Sequence, residues 1–202
     1  MASIFKKLDS FAEYPVLAQQ YFPDSTLTLF LRHVDIIRDL TPLYRWFQDP
    51  QCLLNNSALP EKNSRLIRHY RRSMESTSRK SFLVEITSSV ICQFDISLIN
   101  LHELYFRLPT SAGDCVLTYI LTVKNDWNFP FKNALKLHLD YFFSFPEPNR
   151  IWVIIPNKQI ALQEIFLKTG FSIKSEYTSR QQRYVIFYLK KVHYLLLQST
   201  HS

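Results

Sequence analysis

Glycine is nearly absent from this sequence, with Gly113 and Gly170 the only two among 202 residues. So little glycine excludes collagen-like and glycine-rich low-complexity chains. The chain is 47% hydrophobic and 15% aromatic, a composition that indicates a folded protein rather than a disordered one. Its length suits a single domain with a substantial core.

Cysteine is scarce as well, with three residues at positions 52, 92 and 115. The number is odd and no two of them have C-x-x-C spacing, so the sequence indicates neither a disulfide framework nor a zinc site. We interpret all three as small buried apolar residues and expect no metal.

Long apolar runs are missing too, since none without charge reaches the roughly 18 residues that a membrane span requires. The first 15 residues lack the apolar stretch of a signal peptide. From these patterns we expect a cytoplasmic protein. Basic residues outnumber acidic ones by 24 to 17, and the net charge of +7 favours an anionic partner. Charge alone leaves coenzyme A phosphates, a nucleic acid and no specific partner open.

Hydrophobic periodicity predicts an alternation of strands and helices. Strands are expected at 27–32, 81–86, 89–99, 115–123, 151–156, 171–179 and 183–191, and helices at 34–50, 59–80, 131–144 and 157–170. The pairs 81–86 with 89–99 and 171–179 with 183–191 have the pattern of antiparallel hairpins. The helix at 131–144 joins two buried strands and predicts one parallel crossover. We therefore divide the chain into an N-terminal arm (1–26), for which an extra strand is the alternative, one α/β domain (27–190) and a C-terminal tail (191–202).

Two stretches resemble those of a known superfamily. "PNKQIALQEIFLKTGF" (156–171) is similar to an element of the GNAT acyltransferases, and its matching residues are Pro156, Asn157, Ala161, Phe166, Lys168, Gly170 and Phe171. "DLTPLYRWFQDP" (39–50) is similar to the opening of siderophore-biosynthesis acyltransferases of the aerobactin and mycobactin type, through Asp39, Leu40, Leu43, Trp46, Asp49 and Pro50.

The resemblance covers roughly residues 27–190. It implies a GNAT-like mixed, largely antiparallel central sheet flanked by about four helices. It also implies that the central strand splays from its neighbour and leaves a cleft for an acyl-CoA thioester. The acyl group then passes to a small-molecule amine or, in the siderophore branch, to a hydroxylated amine.

The expected cofactor loop departs from the family. GNAT chains hold the pyrophosphate in a basic glycine-rich loop before a helix, because its N–H groups form an anion cradle. Here "WNFPFKNA" (127–134) takes that place without glycine. Helix-terminal amides do not depend on glycine, so the resemblance still predicts cofactor contacts from Leu121, Thr122, Val123, Lys132, Asn133 and Ala134. We interpret Phe129 and Phe131 as core residues that anchor the loop.

The acid–base pair of the siderophore branch is also missing. The positions of its His and Asp correspond here to Thr118 and Asn157. Neither side chain is a general base near neutral pH. Holding the reactants together contributes about 7–11 kcal/mol, so a slower reaction stays feasible, most easily with a neutral hydroxylamine. A backbone N–H near Tyr119 is the family-like donor to the thioester oxygen. Asp95 is the candidate acceptor-binding residue, with a solvated strand position as the alternative.

Several other polar residues have structural interpretations. We expect His138 to be a packed or surface imidazole and Asp114 to be a turn residue. Tyr177 and Tyr184 are expected to pack within the final hairpin. The adjacent pair His102–Glu103 lies in a connection near the expected cleft mouth, where neighbouring side chains point to different sides.

The basic segment from Lys62 to Arg72 raises the possibility of nucleic-acid binding, since phosphate contacts need clustered Lys and Arg. No nucleic-acid-binding motif accompanies it, so we interpret it as a solvated helix face and disfavour a nucleic-acid partner.

The sequence thus predicts an acyl-CoA-dependent N-acyltransferase that transfers the acyl group directly to a small-molecule amine or hydroxylamine. Its co-substrate is acetyl-CoA or another acyl-CoA, and siderophore biosynthesis is the narrower assignment. The alternative is a catalytically degenerate GNAT-fold protein that binds acyl-CoA or a protein partner. The acyl group, the acceptor and the oligomeric state stay open.

Overall fold

The computed structural model is organised around a nine-stranded mixed sheet. It describes residues 3–8, 15–48, 52–54, 63–87, 89–102, 108–122, 128–179 and 182–200. The strands are β1 (Ala18–Phe22), β2 (Leu27–His33), β3 (Cys52–Leu54), β4 (Arg79–Ile86), β5 (Ser89–Leu98), β6 (Asp114–Thr122), β7 (Arg150–Pro156), β8 (Ser172–Ser179) and β9 (Gln182–Lys190). The helices are α1 (Ile36–Gln48), α2 (Asn63–Glu75), α3 (Asn128–Phe143), α4 (Ile160–Lys168) and α5 (Lys191–Ser199).

The strands follow the order β1-β2-β4-β5-β6-β7-β9-β8, and β3 pairs with β6 beside this path. Every pairing is antiparallel except that of β6 with β7. α3 connects these two parallel strands, which cannot be joined by a tight turn. The predicted fold class, the two hairpins and the crossover are therefore confirmed.

One face of the sheet packs on α3 and α4. Alternate residues of the central strands, among them Phe94, Leu117 and Tyr119, point to this face and share one apolar cluster with the two helices. His138 of α3 is fully buried there, with its ring centroid 4.7 Å from that of Phe94. The interpretation of His138 as a packed imidazole is confirmed.

The opposite face packs on α1 and α2. Leu83 of β4 points to this face and joins Leu43 of α1 and Leu66 and Tyr70 of α2 in a separate apolar cluster. Exposed arginines, Arg65 among them, lie on the other side of α2, which agrees with a solvated basic face. The two α-helices thereby cover the part of the sheet formed by β2, β4 and β5.

A buried ion-pair network fastens α1 to the sheet. Arg32 of β2 donates to both carboxylate oxygens of Asp39, at 2.6 and 2.7 Å, and to Glu85 of β4 at 2.5 Å. The exposed Arg38 also donates to Glu85, at 2.9 Å. Asp35 caps the helix, because its side chain accepts from the amides of Ile37 and Arg38, as a helix N-terminus requires.

The structure adds three elements to those expected from the sequence. β1 lies in the segment expected to be an N-terminal arm and forms an edge of the sheet. α5 lies in the segment expected to be a C-terminal tail, where Tyr194 is buried and donates to Asp140 at 2.6 Å. β3 is only three residues long, too short for a periodic pattern.

The predicted start of the crossover helix is wrong by three residues. α3 begins at Asn128 rather than Phe131, so Pro130 lies within its first turn. A proline there costs little, since the first amides of a helix have no intrahelical acceptor. No helix within the described ranges has the length and apolar character needed to cross a membrane.

Candidate functional site

A cleft opens where the two parallel strands stop pairing. β6 and β7 are in register from Asp114 opposite Arg150 to Leu117 opposite Val153, yet β6 continues to Thr122 and β7 to Pro156. We call the space between residues 118–122 of β6 and 154–156 of β7 the cleft. It lies at the carboxyl ends of parallel strands, the usual position for ligands in open α/β sheets.

One wall of the cleft carries a chain of polar side chains, which we call the polar face. Asp95 of β5 is directly opposite Thr118 of β6, so both side chains point to the same side of the sheet. Gln93 donates to Asp95 at 2.8 Å, and Tyr70 of α2 donates to Gln93 at 2.6 Å. Gln93 and Tyr70 are both 1% exposed, whereas Asp95 is half-buried. The chain therefore presents an oriented carboxylate beside Thr118.

Tyr119 points away from the polar face. Its ring lies 5.9 Å from that of Phe131 and 5.8 Å from that of Phe166, and its hydroxyl donates to Gln159 at 3.1 Å. Burial raises the pKa of this phenol well above its ordinary value of 10.0. The side chain thus links β6 to the start of α4 and stays protonated. The predicted role of Tyr119 concerns its backbone N–H and remains a prediction.

Asn157 follows the last residue of β7 at the rim of the cleft. Its backbone N–H donates to Arg183 at 2.9 Å, and its carbonyl accepts from the Gln163 side chain at 2.9 Å. These bonds hold the loop between β7 and α4 in place. Thr118 is thus the first residue of β6 beyond its pairing with β7, Asn157 directly follows the end of β7, and neither side chain supplies a base.

The histidines described near the core do not supply a base either. Complete burial lowers the pKa of His138 to about 3, and both ring nitrogens lack a hydrogen-bond partner among the described residues. Burial and the nearby Lys80 charge lower the pKa of His33 to about 4. The backbone of His102 lies in the predicted connection, while Glu103 lies outside the described residues.

Asp114 has the structural role expected of it. It is 1% exposed, accepts from the indole of Trp152 at 3.1 Å and from the Ser111 amide at 3.2 Å, and lies 3.5 Å from the Arg150 guanidinium. It therefore closes the turn that begins β6, at the end of the strand farthest from the cleft.

The start of α3 borders the predicted phosphate position. Because the helix begins at Asn128, the amides of Lys132, Asn133 and Ala134 have acceptors within α3 in regular helix geometry. The side chain of Lys132 is exposed, whereas Asn133 and Ala134 are 9% and 0% exposed. A phosphate contact from this helix would therefore come from the Lys132 side chain or from the amides before it. Phe131, at 2% exposure, is a core residue as expected.

The outer edge of β6 carries an unexpected partner. β3 pairs with it antiparallel, with Cys52 opposite Thr122, Leu53 opposite Leu121 and Leu54 opposite Ile120. Leu121 and Thr122, predicted to contact the cofactor, are register partners of β3, and their cofactor contact remains a prediction; Val123 lies outside the described residues. The sequence offered no signal for this pairing, since three residues carry no detectable period.

Among the described residues, the cleft holds no cluster of metal ligands, and a separate surface cavity lies elsewhere. Within the described part of the chain, no group of three or more His, Cys, Asp or Glu side chains is placed to hold a metal ion. A cavity of about 640 Å³ lies at the opposite end of the sheet, bordered by Arg150, Lys190 and the first turns of α5.

The fold matches solved structures, although no family model and no curated protein matches the sequence. An uncharacterized protein from Bacillus halodurans has a TM-score of 0.72 at 13% identity, over 90% of this chain and 94% of that one. Mutant forms of the spermidine/spermine N-acetyltransferase SpeG from Vibrio cholerae reach 0.67 at 15% identity, over 84% of this chain and 98% of that one. SpeG with manganese ions reaches 0.64 at 17% identity, over 84% and 96%.

At these identities the likeness establishes the fold. The chain has the GNAT fold of these N-acetyltransferases, a mixed α/β domain with a mostly antiparallel sheet. The narrower resemblance to the siderophore branch rests on the sequence pattern alone.

Proposed function

We propose that the protein is an acyl-CoA-dependent N-acyltransferase that passes an acyl group, acetyl in the simplest case, to an amine or hydroxylamine of a small molecule. The observation that carries this proposal is the parting of β6 and β7 beyond Leu117 and Val153, next to the polar face. Such a crevice is the expected ligand site of an open α/β sheet. The shared fold with N-acetyltransferases supports the same reaction class.

The transfer would be direct. The acceptor nitrogen attacks the thioester carbonyl carbon in its neutral form, because a protonated amine has no lone pair. The C–N bond forms as the C–S bond breaks, and the one proton that nitrogen then loses passes to the departing thiolate. A protonated amine held by Asp95 is therefore a second amine of the acceptor, or it loses a proton to solvent before the attack. The two described cysteines are poor nucleophiles, because burial raises the pKa of Cys92 and raises that of Cys115 to about 12. A covalent enzyme intermediate on either thiol is therefore disfavoured.

The polar face would hold the acceptor. Asp95 presents a half-buried carboxylate oriented by Gln93, and a carboxylate binds a protonated amine through charge-assisted hydrogen bonds. Thr118, directly opposite, offers a hydroxyl that donates and accepts. Tyr70 restrains Gln93 from the other side, so a helix outside the sheet contributes to the geometry of the carboxylate.

The narrower assignment, acylation of a hydroxylated amine in siderophore biosynthesis, is supported by the 39–50 pattern. In the structure two of its residues hold α1 on the sheet: Asp39 by its ion pair with Arg32, and Leu43 by apolar packing. These residues hold α1 against α2, which supplies Tyr70 to the polar face, so the pattern describes the scaffold more than the chemistry. Comparing hydroxylated with unhydroxylated amines as acceptors tests this narrower assignment.

The test is binding followed by turnover. Purified protein is titrated with acetyl-CoA, longer acyl-CoAs and free coenzyme A by calorimetry, then assayed for thiol release with polyamines including spermidine, lysine-like amines and their N-hydroxylated forms. Saturable micromolar binding together with an acylated product, identified by mass spectrometry, supports the proposal. The absence of binding by every acyl-CoA contradicts it.

A second candidate is a GNAT-fold module that binds acyl-CoA or a protein partner without catalysis. Its specific support is the pairing of β3 with the outer edge of β6, together with Thr118 and Asn157 at the two positions where the family has a base. Tight acyl-CoA binding with no product from any acceptor would favour this candidate over the enzyme.

A further inference from the structure

The two edges of β6 have different occupants along the strand. β5 pairs with one edge from Cys115 to Leu121. A strand has only two edges, so β7 and β3 must share the other, which we call the outer edge. The β7 register ends at Leu117 and the β3 register begins at Ile120. Beyond the point where β7 parts from β6, the chain's own β3 therefore takes the edge that faces the cleft.

The acyl donor of the proposed function needs the same kind of edge. The arm that carries the thioester of coenzyme A is an extended chain with two amide groups. An extended amide-bearing ligand binds a sheet edge through the same main-chain hydrogen bonds as an added strand. Within the cleft, β3 is the neighbour of residues 120–122 of β6 on this edge, and alternate residues among these three direct their N–H and C=O groups towards it.

β3 is built to be a replaceable occupant. Within the described residues, β3 has register partners on β6 alone and lies beside the path of the main sheet, where every strand between β1 and β8 pairs with two neighbours. A strand paired along one edge makes fewer backbone hydrogen bonds than a strand paired along both.

We propose that β3 and the amide-bearing arm of the acyl donor are alternative occupants of the outer edge of β6, so that β3 must leave before the donor binds. This inference rests on the proposed function and describes its regulation. In the structure β3 pairs with the outer edge of β6, which is the arrangement that excludes the donor. The apparent dissociation constant for the donor then exceeds the intrinsic one by the inverse of the fraction of molecules in which β3 has left.

The register supplies a reversible test, because Cys52 is directly opposite Thr122. Opposite residues of an antiparallel pair have Cα atoms about 4.5–5.5 Å apart, which lies within the disulfide range. The variant Thr122→Cys, oxidised, locks β3 in place, and a reductant releases it. Thiol counting and peptide mass analysis verify the disulfide between Cys52 and the thiol introduced at position 122. Wild-type protein treated with the same oxidant and the variant Thr122→Ser are the controls.

The complementary variants Leu53→Pro and Leu54→Pro weaken the pairing. Successive amides of a strand point to opposite edges, so one of the two substitutions removes an N–H that faces β6. Acetyl-CoA binding is measured by calorimetry for all variants. We expect the oxidised Thr122→Cys protein to bind at least about tenfold more weakly than the reduced one, and one proline variant to bind about tenfold more tightly than wild type.

The other outcomes distinguish failure of the competition from failure of the proposed function. Equal binding by the locked, reduced and proline variants overturns the competition while leaving the acyltransferase proposal intact. Failure of the disulfide to form under oxidation, in protein that stays folded, overturns the pairing itself. If no variant binds any acyl-CoA, including those with β3 released, the proposed function is overturned and the competition with it. Should the proline variants not fold, the reversible lock still decides.

Discussion

Arg32 and Asp39 face each other through two parallel hydrogen bonds, from Nη1 and Nη2 to the two carboxylate oxygens, and both side chains are at most 3% exposed. Asp39 also accepts from the backbone amide of Asp35 at 2.7 Å. One carboxylate thereby binds two nitrogens of a buried guanidinium and the start of α1. The helix that packs against α2, which supplies Tyr70 to the polar face, depends on this pair for its position.

Asp39→Ala should lower the free energy of unfolding by about 3–5 kcal/mol, because it leaves a buried guanidinium with half of its partners. Urea denaturation measures the change. Glu164→Gln, which removes the exposed pair with Lys168 on α4, is the matched control and should cost at most about 1 kcal/mol. A loss below about 1 kcal/mol for Asp39→Ala would show that Glu85 alone suffices for Arg32.

The buried imidazole of His138 should make the protein sensitive to acid. Its folded pKa of about 3 lies below the ordinary 6.5, so the unfolded chain binds more protons between these values. Stability is therefore complete above pH 6.5 and falls as the pH drops towards 3, by at most about 1.4 kcal/mol per pH unit for this group. His33, with a pKa of about 4, acts in the same direction.

His138→Leu should flatten that pH dependence and raise stability at neutral pH, since it removes a buried N–H without an acceptor, a cost of about 1–3 kcal/mol. Thermal unfolding at a series of pH values from 4 to 8 provides the measurement. The exposed His193→Gln on α5 is the control and should leave the profile unchanged. If the stability of His138→Leu depended on pH as steeply as that of the wild type, His138 would not be the group responsible for the acid sensitivity.

Tyr119→Phe should cost about 1 kcal/mol of stability, because Gln159 loses its partner. The phenol points away from the polar face, so acyl transfer should change by less than about threefold, against the 10²–10⁴-fold expected of a general acid or base. Rates of acyl transfer measured at saturating acyl-CoA distinguish a structural role of the phenol from a role as general acid or base. A hundredfold fall in kcat with an unchanged fold would place the phenol in the chemistry.

Asp95→Asn should raise KM for a positively charged amine by about 10- to 100-fold, the cost of losing one charge-assisted hydrogen bond. A neutral hydroxylamine should be affected far less. Glu176→Gln on β8 removes an exposed carboxylate elsewhere and serves as the control. Equal effects on charged and neutral acceptors would show that Asp95 orders the strand rather than binding the substrate.

The two glycines should tolerate alanine unequally. Both have positive φ, +83° at Gly113 and +98° at Gly170, so either substitution strains the backbone. A Cβ at Gly113 would lie 2.3 Å from the Glu147 carbonyl oxygen, whereas one at Gly170 would meet the side-chain end of Leu197 at 2.5 Å. Gly113→Ala should therefore destabilise more, by roughly 1–3 kcal/mol beyond Gly170→Ala. The denaturation midpoints of the two variants measure this difference in stability.

Local patterns predicted most of the sheet. Alternation in 81–86 and 89–99 identified a hairpin, because the side-chain period of a strand is a local property. The predicted start of α3 at Phe131 differs from the observed one at Asn128, and the first turn includes Pro130, which a helix tolerates there. β3 was not predicted, because its residues carry no periodic pattern and form a strand through their pairing with β6.

The candidate site was only partly predictable. Asp95, Thr118 and Asn157 were named from the order of elements and the resemblance, and the structure places Asp95 directly opposite Thr118. Gln93 and Tyr70 were not anticipated as site residues. Tyr70 bonds to Gln93, 23 positions away, and Gln93 bonds to Asp95, 2 positions away. These contacts depend on side-chain direction, which a linear pattern does not report.

The sequence by itself determined the order of seven strands and four helices and the single parallel crossover, since these follow from hydrophobic period and chain connectivity. Only the tertiary structure decided which groups meet across the sheet: Arg32 with Glu85, 53 positions away, and β3 with the outer edge of β6. Strand edges and buried charges find their partners through packing in three dimensions. For that reason the occupant of the cleft could not be predicted from the residues that line it.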